Sequence, residues 1–365
     1  MFLVQLGLIG ICIALLPLSY VWAKADDKFR KLVWLTTFLT LDLIMFGGFT
    51  RLTDSGLGCP DWPGCYGTSS PFVAHAQIAA AYQAMSTGPV SMAKAWIEML
   101  HRYFAMAIGV LIIAQTVIAW TARVKKRPLH VSPWWPTSIL GLIILQGAFG
   151  AWTVTFKLQP VIVTTHLLLG LALLGWLAAY LTPIPSLDFA AVRWMPAAVF
   201  GLVLLVVQIA LGGWVSTNYA VFACTDFPLC NGQWIPQMNF EHGFHLWRAL
   251  GMTGDGDMIS QDALVAIHWT HRTFAIVVIL YLLWLASRLR RFESLRKPAN
   301  GVLFVIVVQF FTGLSNIVLQ WPLPIAVAHN GGAAILLLLL VMLNFRISSS
   351  RPGRATRPAR DVVSA

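Results

Sequence analysis

The sequence predicts an all-α polytopic membrane protein: nine spans, forming two tandem four-helix bundles in parallel repeat behind one extra N-terminal span. Three observations carry this. The 365 residues are 58% hydrophobic and only 11% charged, with a mean hydropathy of +0.73, whereas an average soluble domain carries about 25% charged residues. Apolar runs of roughly 20 residues recur along the chain, the length that crosses a bilayer as a helix. The basic residues fall in alternate gaps between those runs, and the second half of the chain repeats landmarks of the first.

The apolar stretches run approximately over 2–22, 32–50, 97–122, 134–155, 161–182, 195–217, 266–287, 302–320 and 325–345. Lys24, Lys28, Arg30 and Lys31 lie in the first gap, and Arg123, Lys125, Lys126 and Arg127 in the third. Arg288, Arg290, Arg291, Arg296 and Lys297 lie in the seventh, and the tail holds Arg346, Arg351, Arg354, Arg357 and Arg360. Lys and Arg concentrate in cytoplasmic loops, so the N-terminus is expected outside and the C-terminus inside. The formal net charge of +11 is then orientation, not a nucleic-acid footprint. Ala23-Lys24-Ala25 has the form of a signal-peptide cleavage site, but no basic n-region precedes it. The first span is therefore read as retained.

Internal similarity organises the rest. Gly47-Gly48 and Cys59/Cys65 recur as Gly212-Gly213 and Cys224/Cys230, at an offset of 165 residues. Gln146, Gly150 and His166 recur as Gln309, Gly313 and His329, at an offset of 163. Arg102 after His101 matches Arg272 after His271. Four spans per unit is an even number, so both units face the same way. The expected divisions are 1–31 (extra span and basic cytoplasmic loop), 32–182 and 195–345 (the two four-helix halves), and 346–365, a basic tail expected to be disordered.

Histidine inside a membrane span is costly and by default functional. His101, His166, His271 and His329 each fall about one turn inside the outer end of a span, two per half and on different helices. A facing pair across a four-helix bundle is a geometry that grips a haem iron by both axial positions. A single such histidine would be read as polar glue between helices; four, matched in pairs and in depth, favour haem. Zinc or copper is the runner-up, but the outer loops offer no consistent third and fourth ligands. Arg102 and Arg272 would either reach the outer headgroups or pair with haem propionates. Glu98, on the same helical face as His101, has His268 as its counterpart, so one half carries a carboxylate where the other has an imidazole. An Arg102 pair at i,i+4 would account for Glu98 structurally; a chemical role is favoured. Cys59-Pro-Asp-Trp-Pro-Gly-Cys65 and its counterpart Cys224-Thr-Asp-Phe-Pro-Leu-Cys230 could, on spacing alone, be disulfides, metal ligands or redox pairs.

The stretches GGFTRLTDSGLGCPDWPGCYG (47–67), IEMLHR (97–102), TTHLLLG (164–170), HWTHR (268–272) and AHNGG (328–332) resemble the haem A synthase family in order and spacing. The resemblance covers about residues 32 to 345. It implies conversion of haem O to haem A by successive hydroxylations of one ring methyl to a formyl group, for use in cytochrome oxidase. It also implies a substrate site at His101 and His166, a functional Glu98, and a resident haem b between His271 and His329. Cys59/Cys65 and Cys224/Cys230 match the family's outer-loop pairs. On the outer face disulfides persist, so both are read as disulfides, with a redox share left open for Cys59–Cys65. The extra first span departs from the simplest eight-helix version. Haem O synthase and oxidase assembly factors are the implied partners, with membrane lipid around the chain and room for a homo-oligomer. The expected address is a bacterial-type inner membrane.

No glycine-rich dinucleotide fingerprint is present, so a redox reaction would rely on haem. The rivals are a di-haem cytochrome b that only passes electrons, and a haem carrier. The first gives no reason for Glu98, and the second would be expected to show weaker, exchangeable ligation and no redox partner. The remaining features are read as structural. Asp42, in mid-span, is expected to hydrogen-bond within the bundle. Glu241 to His245 read as an amphipathic surface helix, His75 and His130 as loop residues, and Cys12 as a buried small residue. Asp255-Gly256-Asp257 is too short for a calcium loop.

Overall fold

The computed structural model describes residues 1–24, 27–129, 131–183 and 189–349. Among them nine helices are long and apolar enough to cross a membrane: α1 (Phe2–Lys24), α2 (Lys28–Leu52), α4 (Met92–Val124), α5 (Trp134–Thr155), α6 (Pro160–Leu181), α7 (Met195–Thr217), α9 (Gln261–Leu289), α10 (Glu293–Val318) and α11 (Leu323–Ser349). Two short helices, α3 (His75–Ala84) and α8 (Phe240–Gly243), lie in the long connections. The chain is a multi-pass membrane protein, as expected. His130 and nearly all of the basic tail lie outside the described residues.

Helix ends differ from the apolar runs where polar residues extend them. α4 and α9 begin at Met92 and Gln261, upstream of the expected 97 and 266. Ser91 and Ser260 accept N–H bonds from Lys94 and Ala263, each at 3.3 Å. These caps satisfy donors that the first turn leaves open, so the helices continue past their apolar stretches. α6 opens on Pro160, where the missing N–H removes nothing from the ladder. The two tight connections before α6 and α11 turn alike: Lys157 and Leu158 have φ of 49° and 59°, and Gln320 and Trp321 have 55° and 67°.

α2 packs against α4 and α6, α5 against α6, α7 against α9, and α10 against α11. α2 also meets α11, and α6 meets α7, along a central seam. α1 docks on α4 through Gly10, where an added Cβ would lie 2.9 Å from the Met106 Cβ. α1 buries Leu6, Ala14 and Val21, and Cys12 is on its exposed side. The expectation of a buried Cys12 is therefore corrected: one face of α1 is enough to dock an added helix. Asp42 also departs from expectation. It sits on an exposed stripe of α2 with Trp34 and Phe38, one helical turn apart, and has no hydrogen bond among the described residues. His75 opens α3, and the segment after Asn239 makes only the single turn of α8.

At one end of the seam, positions related by the repeat offset touch each other. Arg51 donates to the Ser216 carbonyl at 2.5 Å, and the Tyr219 hydroxyl donates to Asp54; both pairs are separated by 165 residues. The Arg51 guanidinium lies 4.0 Å from the centre of the Tyr219 ring. A residue meets its own counterpart only beside an axis that relates the two, so this seam is consistent with a two-fold relation between the repeated segments.

Candidate functional site

Both cysteine pairs form disulfides, with S–S distances of 2.07 and 2.02 Å. Each closes a small hairpin at the same end of the helices. Cys65 and Thr68 exchange N–H bonds at 3.0 Å, as Cys230 and Gln233 do at 2.8 and 3.2 Å. The two-residue tips are Tyr66-Gly67 and Asn231-Gly232, all four at positive φ, as a tight hairpin turn requires. An aspartate braces each tip. Asp61 accepts from the N–H of Tyr66 and Gly67 at 2.6 and 2.7 Å, and Asp226 from Asn231 and Gly232 at 2.5 and 3.0 Å. The Gly232 and Asn231 N–H groups hold the Asp226 carboxyl below the usual carboxylate range. That support is present at neutral pH and fades as acidification protonates the carboxylate.

The hairpins are fastened to the helices that carry the histidines. Arg102 donates to the carbonyls of Asp61 and Gly64 at 2.8 and 2.6 Å. Arg272 donates to those of Asp226 and Leu229 at 2.8 and 3.0 Å. Beneath the first hairpin, Glu98 accepts the Cys59 N–H at 2.8 Å and takes a second bond from Arg102. Glu98 and Arg102 are 5% and 9% exposed, so this ion pair is buried. Its counterpart is simpler: His268 Nδ1 accepts the Cys224 N–H at 3.4 Å. Arg102 has its donors occupied by the hairpin and Glu98, whereas Arg272 Nη1 is buried with no partner among the described residues. By loop entropy alone, replacing Cys59 and Cys65 by alanine should cost the first hairpin about 2 kcal/mol. Faster hydrogen exchange at the backbone N–H of position 59, which Glu98 accepts, would report it.

His101 lies on α4 and His166 on α6, and His271 lies on α9 and His329 on α11. A glycine of a neighbouring helix receives every ring. A Cβ added to Gly47 would lie 3.0 Å from His101, and one at Gly150 3.3 Å from His166. One at Gly212 would lie 2.9 Å from His271, and one at Gly313 3.1 Å from His329. Two imidazoles per half, each ring lying against a glycine of a neighbouring helix, suit a large planar metal complex, so these residues fit a haem. No cluster of three or more His, Cys, Asp or Glu suited to a bare metal ion occurs among the described residues. We expect Gly212→Ala to displace the His271 ring and lower haem content in the purified protein, read from its visible absorption.

Two residues that the sequence reading passed over sit beside the second pair. Gln208 lies 3.1 Å from His271 Nδ1, and Thr312 Oγ1 lies 2.9 Å from His329 Nδ1. Gln208 is a lone amide in an apolar span, a signal that could have been followed; Thr312 has none. An apolar cleft of about 440 Å³ opens between α6, α7 and α11, lined by Leu171, Trp176, Leu202, Ile209, Leu337 and Val341 among others. None of the four histidines lines it.

Residues 30–341 match the profile of the COX15-CtaA family, described as cytochrome oxidase assembly protein. The chain is 38% identical over 325 residues to the heme A synthase of Shewanella oneidensis, covering 86% of this chain and 96% of that one. It is 28% identical over 346 residues to the heme A synthase of Sphingopyxis alaskensis, covering 88% and 93%. With that of Caulobacter vibrioides it shares 28% over 354 residues, covering 89% and 98%. Hairpins, histidine pairs and relatives agree: this chain belongs to the COX15-CtaA family.

Proposed function

We propose that this protein is a haem A synthase, which oxidises one ring methyl of haem O to a formyl group through successive hydroxylations and supplies haem A for cytochrome oxidase. The observation that carries the reading is the doubled histidine pair, every ring lodged against a glycine, in a chain whose relatives bear that name. His101 and His166 are assigned to the substrate, and His271 and His329 to a resident haem b. When bound, haem b supplies a one-electron redox centre. The chain's own residues orient and enclose. The histidines fix the depth of each ring, and the hairpins close over the ends of the helices that bear them.

Glu98 holds a negative charge one turn from His101 and ties the first hairpin to α4. In this reading it stabilises positive charge that develops at the reacting methyl. Arg272 Nη1 offers a donor to a haem carboxylate, and Arg102 contributes charge while holding the hairpin. The alternation of basic loops supports an orientation with the hairpins and N-terminus outside a bacterial-type inner membrane and the C-terminus in the cytoplasm. An apolar haem O tail is then at home in the bilayer. Haem O synthase and oxidase assembly factors are the expected partners. The test is expression in a host that makes haem O but no haem A: haem A should appear in the membrane fraction. Haem O left unconverted there, with the protein present and haem-loaded, would contradict the proposal.

A further inference from the structure

We infer that Thr312 is a positioning residue that makes the His271/His329 site retain its haem, while the His101/His166 site, with Phe149 in the matching place, is built for exchange. The inference rests on the haem assignment above. The Thr312 hydroxyl donates to the Val308 carbonyl at 2.9 Å and lies 2.9 Å from His329 Nδ1. With its own proton directed at the carbonyl, the oxygen is left to accept, so it takes the Nδ1–H of His329. An imidazole holding its proton at Nδ1 presents the Nε2 lone pair to a metal, and the hydrogen bond fixes the ring's direction and raises its basicity. Gln208 is a different case: its Nε2 lies 3.1 Å from His271 Nδ1 and also donates to the His271 carbonyl at 3.2 Å, as Gln146 donates to the His166 carbonyl at 3.0 Å, so the glutamine contact is common to both halves.

The first half has no counterpart of the hydroxyl. Phe149 stands 163 residues before Thr312 and cannot accept a hydrogen bond. His166 Nδ1 is buried with no side-chain partner among the described residues. His101 has Phe46 beside it, ring centres 6.0 Å apart. Losing an outer partner of a metal-bound histidine typically costs about 10–100-fold in affinity. A substrate site must give up its product at each turnover, whereas a resident redox centre must stay. The difference between the halves follows that division.

The test uses the full-length, haem-loaded protein. Thr312→Val removes the hydroxyl at nearly constant volume, and Thr312→Ser restores it. Two quantities are read: the midpoint potential of the resident haem and its rate of transfer to apomyoglobin. Thr312→Val should raise the potential, because the ligand becomes less basic, and speed release about tenfold. Thr312→Ser should behave as wild type. Unchanged potential and release in Thr312→Val would overturn the inference. A resident haem whose spectrum survives both His271→Ala and His329→Ala would instead overturn the assignment beneath it.

Discussion

Alanine in place of His101 or His166 should abolish haem A formation and leave the resident haem in place with its spectrum unchanged. The two histidines come from different helices, and each has its own glycine, Gly47 or Gly150. On the proposed assignment, removing either takes away one of the two ligands of the substrate haem. Outer-shell partners alone are worth about 10–100-fold, so loss of a direct ligand should exceed the upper end of that range. Alanine at His271 or His329 should do the reverse: the resident haem is lost from the purified protein, and turnover stops for want of the redox centre. Visible spectra of the four purified variants, set beside their turnover, check this. A histidine whose loss emptied both sites would show that the pairs are not independent.

The second large effect is at Glu98. Glu98→Ala leaves Arg102 charged and buried beneath the first hairpin, and breaking a buried ion pair costs about 3–5 kcal/mol. Hairpin opening and loss of activity should therefore come together. Glu98→Gln separates them. The amide oxygen can still accept the Cys59 N–H, and the second hairpin shows that an uncharged acceptor suffices, because His268 takes the Cys224 N–H there. The negative charge at position 98 is thus more than closing the hairpin requires. Glu98→Gln should keep the hairpin, measured by hydrogen exchange at the Cys59 N–H, and lose most of its turnover with haem content normal. Full turnover in that variant would remove Glu98 from the chemistry.

The fold was legible because its signals are strong and long-range in the sequence: nine apolar runs, alternating basic gaps and landmarks at fixed offsets. Boundaries at α4 and α9 were less so, since an apolar run marks the hydrocarbon while the helix itself stops at its cap, here Ser91 or Ser260. The second hairpin tip could have been read from Asn231-Gly232, the dipeptide that a tight turn favours; Tyr66-Gly67 gives a weaker signal. The fastening of both hairpins by Arg102 and Arg272 was not legible, because the arginine's carbonyl partners lie about forty residues away and leave no pattern in side-chain type. Nor could the sequence place Cys12 and Asp42 on exposed faces. In a helix that is apolar all round, periodicity does not say which side meets protein. Thr312 beside His329 shows the same limit on a smaller scale: a hydroxyl one helix away becomes the histidine's partner only when α10 and α11 are packed.

The most direct measurement supplies haem O to the purified, haem-loaded protein with an electron acceptor and oxygen, then extracts the haems and weighs them. The account predicts that the recovered substrate carries a formyl group in place of one methyl, with haem b recovered unchanged beside it. Recovery of haem O and haem b alone, from protein whose resident haem is reduced and reoxidised normally, would contradict it and leave an electron-carrying cytochrome in its place.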